Sequence, residues 1–187
     1  MKILHLGCGT RKVPGAIGVD LVKLPGVDVV HDLDKLPYPF KSNTFDEIIA
    51  ENILEHLGSD LIEIMRELHR ICKPSAVIKI RVPNTPSVSA WADPTHKKFF
   101  TWFTYDYFGT NEFSFYSEVR LKILKKEFHF DAGRLYSVVM KPIEIIANLI
   151  PDWYAHLLSG AIPCPTLYFE LQVVKEAKGK PTGRSGK

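Results

Sequence analysis

With 187 residues, 45% of them hydrophobic and 24% charged, the chain has the composition of an ordinary folded protein, which excludes an intrinsically disordered chain and a disulfide scaffold. Its formal charge of +3 is small, and much of the excess sits at 175–187, a Lys/Gly/Pro/Ser stretch that reads as a disordered basic tail. The remaining body is near neutral, so no nucleic-acid footprint is expected. Cys8, Cys72 and Cys164 are too widely spaced for a disulfide framework or a CxxC metal site; no metal is expected, and a reducing, cytoplasmic setting is.

Residues 2–6, 16–19 and 27–30 are short apolar runs bounded by Gly and Pro, the pattern of buried parallel strands. Residues 45–50 (FDEIIA) follow the turn-forming Lys41-Ser42-Asn43, and residues 76–82 (AVIKIRV) lie between Pro74 and Pro83, so both read as further strands. A helix stands between those two. In DLIEIMRELHRIC, Leu61, Ile64, Met65, Leu68 and Ile71 recur at helical spacing, Asp60 with Glu63 makes a capping-box start, and Pro74 is the stop. The later chain adds strands at 121–130 and 166–174 and a helix at 142–150. This alternation predicts an α/β, doubly wound, mostly parallel sheet with ligands at the carboxyl ends of its strands. With no repeat and no dividing linker, residues 1–174 are expected to form a single domain.

The stretch LHLGCGTRKVPGAIGVDL, residues 4–21, carries a glycine turn. A phosphate-binding P-loop needs GxxxxGK followed by Ser or Thr, and neither is present. A nicotinamide fingerprint needs GxGxxG opening a helix, with an acidic residue about 20 positions later. Here Gly7 and Gly9 supply GxG, the third glycine is absent, Pro14 and Gly15 interrupt any helix, and Asp20 arrives early. Taken alone, GxG also fits a bare tight turn. A second stretch, DLDKLPYPFKSNTFDEIIAENILEHL at 32–57, places a carboxylate after the third strand, then a Leu-Pro turn, then Phe-Asp opening the fourth strand, then Leu-Glu-His-Leu.

Together with LGCG and Val-Asp, this ordered set resembles the class I S-adenosylmethionine-dependent methyltransferases of the type 11-like kind, whose members carry LDLGCG and LPFPDxSFD...LEHL segments. The resemblance is good over residues 2–84 and looser beyond. It implies a seven-stranded Rossmann-like methyltransferase fold with S-adenosylmethionine as cofactor. It assigns Gly7 and Gly9 to the methionine part, Asp20 to the ribose, Asp32 and Leu33 to the adenine, and Ala50 and Glu51 to the methionyl amine or sulfonium side, with Cys8 and Leu21 as further cofactor-binding residues. Two departures stand out. His5 occupies a position where the family often has an acidic residue, and residues 9–16 are too short for the usual first helix, so the N-terminal helical cover is expected to be reduced.

Something else must close the pocket. Residues 91–116 contain about half of the chain's aromatic residues, and a lid or acceptor segment is expected there, most of its rings being packed as core. Within it, Asp93-Pro94-Thr95-His96 resembles a DPTH segment of a subset of the same family. His96 is the candidate general base, since imidazole titrates near neutrality, and Asp93 is its candidate orienting group. His56, in the LEHL turn, reads as structural. No (Asp/Asn)-Pro-Pro-(Tyr/Phe) motif and no suitably placed cysteine nucleophile point to nucleic-acid substrates, which leaves a small molecule, sugar or lipid-linked glycan as acceptor. The apolar run 143–158 is expected to cover a sheet face; peripheral membrane contact is the other reading, without stable insertion. Oligomeric state stays open. Rival readings are a non-catalytic cofactor- or partner-binding protein of the same fold, and an aminopropyltransferase or nicotinamide-dependent enzyme built on it.

Overall fold

The computed structural model describes residues 1–109 and 117–175, so part of the expected aromatic lid and nearly all of the expected tail lie outside the described residues. Seven strands form one sheet: β1 (Ile3–Leu6), β2 (Ile17–Asp20), β3 (Val29–Val30), β4 (Phe45–Glu51), β5 (Cys72–Pro83), β6 (Leu121–His129) and β7 (Thr166–Val173). Their order is β3-β2-β1-β4-β5-β7-β6. The first five pair in parallel, and β7 inserts antiparallel between β5 and β6. The doubly wound expectation therefore holds, and the strand order reverses between β1 and β4. In open α/β sheets, ligands bind outside the carboxyl ends of the strands at such a switch point.

The interior strands bury one face in register, while the other carries His5, Glu47, Lys79 and Arg81, with Lys79 paired to Glu47 at 2.7 Å. Leu4, Leu6, Ile48, Ala50, Ile78, Ile80 and Val82 are all fully buried. Helix α1 (Leu61–Ile71) contributes Ile64, Met65, Leu68 and Ile71 to the same core, each side chain worth roughly 1.5–3 kcal/mol of burial. Asp60 caps this helix, its side chain accepting from the Ile62 amide at 2.7 Å rather than from Glu63 as a capping box would have it. The helix ends at Cys72, which turns extended and already pairs with Phe45 of β4, two residues ahead of Pro74. A register shift between Phe45 and Glu47 then accommodates Ser75 at φ +64°.

Helix α1 also carries a polar clamp that sequence reading did not anticipate. Glu67, nearly buried, accepts the Tyr38 amide at 2.7 Å and both Nε and Nη2 of Arg70, at 2.7 and 2.6 Å. Arg70 donates onward to the Phe40 carbonyl at 2.8 Å, fastening residues 36–42 to the helix. Lys175, expected to open the tail, is anchored by bonds to Asn43 Oδ1 and the Cys72 carbonyl.

Two short elements follow β5: α2 (Val88–Trp91) and a 3-10 turn at Thr104–Phe108. Beyond β6, α3 (Arg134–Val139) was not anticipated, whereas α4 (Lys141–Leu149) falls within a residue of its expected place. It leads into α5 (Pro151–Trp153) and a π-turn at Tyr154–Leu158. Ala147 and Tyr154 pack inward, while Ile145, Ile146, Leu149, Trp153 and Leu157 are exposed, so this region covers the sheet with one side only. Among the described residues, no helix is long and apolar enough to cross a membrane.

Candidate active site

Sheet register places the site. Leu6 pairs with Val19 of β2 and with Ala50 of β4, so the next residue on each strand, Gly7, Asp20 and Glu51, stands in one row along the tips at the switch point. Asp20 in turn pairs with Val30, which brings Asp32 just past the tip of β3. Sequence positions far apart thus converge on a single edge.

Residues 7–16 join β1 to β2 as a turn, with no helix. Gly7 has φ +58° and Gly9 φ +50°, a region costly for side chains. Their reasons differ. A Cβ on Gly7 would stand 2.5 Å from Cγ1 of Ile53, so this glycine is required by the protein's own packing. A Cβ on Gly9 would meet nothing within 4 Å; it would project into open space above the turn. Cys8 is buried, and its amide donates to the Val19 carbonyl at 3.1 Å. Gly18 makes room for that thiol, since a Cβ there would lie 2.7 Å from Cys8 Sγ.

Asp20 bridges the turn and its own strand end. Oδ2 accepts the Gly9 amide at 2.8 Å and Oδ1 the Val22 amide at 3.3 Å, leaving each oxygen a lone pair for a further donor. Leu21, Val22 and Val30 stand exposed beside it, an apolar margin next to a carboxylate. Asp32 is held in an Asx turn by the Asp34 amide at 3.1 Å, with Lys35 3.6 Å away, and Leu33 is buried under Tyr38, whose hydroxyl donates to the Leu33 carbonyl. Ala50 is wholly buried, whereas Glu51 is exposed at the tip.

His5 takes a specific part. The Val13 amide donates to its Nδ1 at 3.2 Å, so the imidazole ties the helix-less connection back onto β1. Burial holds this histidine below its ordinary pKa; the Glu51 carboxylate pulls it upward and Arg11 pushes it down. A lowered value means stability fully present above the unfolded value near 6.5 and lost as pH falls through the folded one. Thermal melts should therefore show wild type losing stability below about pH 6.5 more steeply than His5→Gln; superimposable pH profiles would remove His5 from this role.

The second half of the site lies beyond β4. Leu54–His56 forms a 3-10 turn, and its Glu55 carbonyl accepts the Lys97 and Lys98 amides at 2.7 and 3.1 Å, pinning the DPTH segment against the LEHL turn. The two imidazoles consequently face one another, with ring centroids of His56 and His96 4.8 Å apart. His56, read from sequence as structural, is thus part of a constellation. Asp93 does not orient His96 directly. Its carboxylate accepts the Thr95 amide and hydroxyl at 2.8 and 2.6 Å, while His96 Nδ1 lies 2.9 Å from the Ala90 carbonyl. The Thr95 hydroxyl also lies 2.9 Å from His56 Nδ1, so Asp93 acts on His56 through Thr95.

Glu55 was missed altogether. It is 1% exposed, and neither carboxylate oxygen has a hydrogen-bond partner among the described residues. Burial pushes its carboxyl up to about 7, with its own backbone amide and the His96 imidazole pulling it down and Asp93 pushing it up. The sequence signal was the Glu-His pair itself, which gains meaning once the DPTH histidine is folded against it. A cleft of about 530 Å³ opens here, lined by Asn52, Glu55, His56, Pro83, Asp93 and His96 among others. A larger cleft, about 950 Å³, lies at the opposite end of the sheet beside Glu63, Arg66 and Lys175, away from this chemistry.

Rings of the expected lid divide. Phe100, Trp102, Tyr105 and Phe108 are buried core, whereas Trp91, Phe99 and Phe103 are exposed. Trp91 stacks on Phe99 with centroids 4.1 Å apart, its indole N–H donating to the Thr85 carbonyl. Residues 110–116 of that segment lie outside the described residues.

Residues 13–80 match the family model described as a methyltransferase domain. Among solved structures, the chain is similar to a SAM-dependent methyltransferase from Archaeoglobus fulgidus, at 21% identity and a TM-score of 0.60 over 91% of this chain and 85% of that one. The chain has the class I methyltransferase fold. This methyltransferase fold is shared with a SAM-dependent methyltransferase from Mesorhizobium loti, at 15% identity and a TM-score of 0.55 over 91% and 90% of the two chains. It is shared as well with the [4+2]-cyclase SpnF, at 17% identity and a TM-score of 0.57 over 94% and 76%. No curated protein matches the sequence. The strand order puts the switch point, where open α/β sheets bind ligands, between β1 and β4, and Gly7, Asp20 and Glu51 line up there.

Proposed function

We propose that this protein is a methyltransferase using S-adenosylmethionine to methylate a small-molecule, sugar or lipid-linked acceptor. The observation that carries this reading is the row of Gly7, Asp20 and Glu51 at the switch point, with Asn52, the residue after Glu51, lining the cleft that holds Glu55, His56 and His96. The residues suit the cofactor. Open space over Gly9 admits the amino-acid end, the free lone pairs of Asp20 accept from both ribose hydroxyls, and the apolar margin of Leu21, Val22 and Val30 suits a flat base beside Asp32. When bound, the cofactor supplies an electrophilic methyl group. The chain's own task is to hold an acceptor in line with it and to take up the acceptor's proton.

His96 is our candidate base. With Nδ1 donating to the Ala90 carbonyl, the imidazole presents Nε2 as the proton-accepting nitrogen, and Asp93 steadies the neighbouring His56 through Thr95. The exposed Trp91, Phe99 and Phe103, with Trp153 and Leu157 farther on, supply an apolar surface suited to an acceptor with a hydrophobic part. Transfer of labelled methyl to a panel of small polar, glycan and lipid-linked acceptors tests the class. In that assay His96→Ala should lower kcat about 10²- to 10⁴-fold while leaving cofactor affinity within twofold. Equal loss of both would make His96 a folding residue.

A second reading, cofactor binding completed by a partner protein, draws on the absence of a helix between β1 and β2. Methyl transfer appearing only with a co-purified subunit would favour it.

A further inference from the structure

We infer that Glu55, His56 and His96 form a binding site for one divalent first-row transition ion, with zinc as the reference ion. The three ligand atoms already lie within 4.8 Å of one another. A tetrahedral ion with bonds of ~2.1 Å separates its ligands by roughly 3.4 Å, a contraction that small side-chain torsions supply. Two histidines with one carboxylate is a donor set suited to Zn²⁺, Fe²⁺ or Co²⁺, and three protein ligands leave a coordination position open.

Two independent features support the site. First, Glu55 is buried with both oxygens unpartnered among the described residues, a condition native proteins rarely tolerate without a ligand, and both imidazoles line the same cleft. Second, each imidazole is held from behind at Nδ1, His96 by the Ala90 carbonyl and His56 by the Thr95 hydroxyl, which itself donates to Asp93. In that arrangement both rings keep Nε2 for coordination, the outer-partner pattern that fixes metal-binding histidines. Occupancy also changes what His96 does: a base in the metal-free chain, it is a ligand in the loaded one.

The site stands apart from the cofactor reading and is tested separately. Full-length protein dialysed against a chelator is titrated with Co²⁺, followed by visible absorption and calorimetry, and then with Zn²⁺ in competition. One equivalent should bind with the visible band of a low-coordinate N/O site, and Zn²⁺ should displace it. Glu55→Gln and His96→Ala should each weaken binding at least tenfold, and Thr95→Ala about tenfold through its outer contact. Melting in chelator verifies that each variant is folded. No stoichiometric binding, or binding that Glu55→Gln and His96→Ala both leave intact, overturns the site. Titration of the metal-free protein with S-adenosylmethionine reads the cofactor reading on its own.

Discussion

Gly7→Ala should cost about 3 kcal/mol of stability, whereas Gly9→Ala should cost about 1 kcal/mol yet weaken cofactor binding the more selectively. Both positions have positive φ, which charges any L side chain about 1–2 kcal/mol. At Gly7 the new methyl also meets Ile53 at 2.5 Å, and overpacking of this kind adds roughly 1–3 kcal/mol. At Gly9 no atom of the described residues lies within 4 Å of the new methyl, which occupies only the space assigned to the ligand. Denaturant melts paired with cofactor titrations separate the two. Equal stability losses, or an unchanged affinity for Gly9→Ala, would mean that the turn is shaped for packing alone.

Arg70→Ala should destabilise the fold by about 3 kcal/mol. It removes both charged bonds from Glu67, which is only 6% exposed, and leaves the Tyr38 amide as its remaining contact. It also frees the Phe40 carbonyl and loosens residues 36–42. The double variant Arg70→Ala/Glu67→Gln should recover part of the loss, because an unpaired amide is cheaper to bury than an unpaired carboxylate. Chemical denaturation measures both; a double variant no better than Arg70→Ala would mean that the clamp acts through shape rather than charge.

The strands were legible because buried parallel strands are short apolar runs punctuated by Gly and Pro, and 2–6, 16–19, 27–30, 45–50 and 76–82 all obey that rule. Helix α1 was legible because one of its faces is polar. Helix α3 was not: in RLYSVV none of the residues is buried, so no amphipathic period marks it. The residues that the resemblance assigned to a cofactor were legible as strand-end positions, and register lines up Gly7, Asp20 and Glu51 along one edge. The other half of the candidate site depends on a contact between residues 55 and 97–98, made by backbone hydrogen bonds that carry no side-chain signature. Hence His56 read as structural and Glu55 went unnoticed, although both sit in LEHL. Asp93, expected to orient His96, accepts from Thr95 instead, because adjacency in DPTH does not say to which of the two a carboxylate turns.

The central claim is that the turn at Gly7 and Gly9, together with Asp20, holds S-adenosylmethionine. Calorimetric titration of wild type and Asp20→Ala with S-adenosylmethionine, its decarboxylated form and NADH tests it most directly. S-adenosylmethionine should bind wild type, and the Asp20→Ala change should weaken that binding by about 1.5–3 kcal/mol, roughly ten- to 150-fold, as expected for lost hydrogen bonds to a charged group. Binding of NADH alone, or an affinity for S-adenosylmethionine that Asp20→Ala leaves unchanged, would contradict the account.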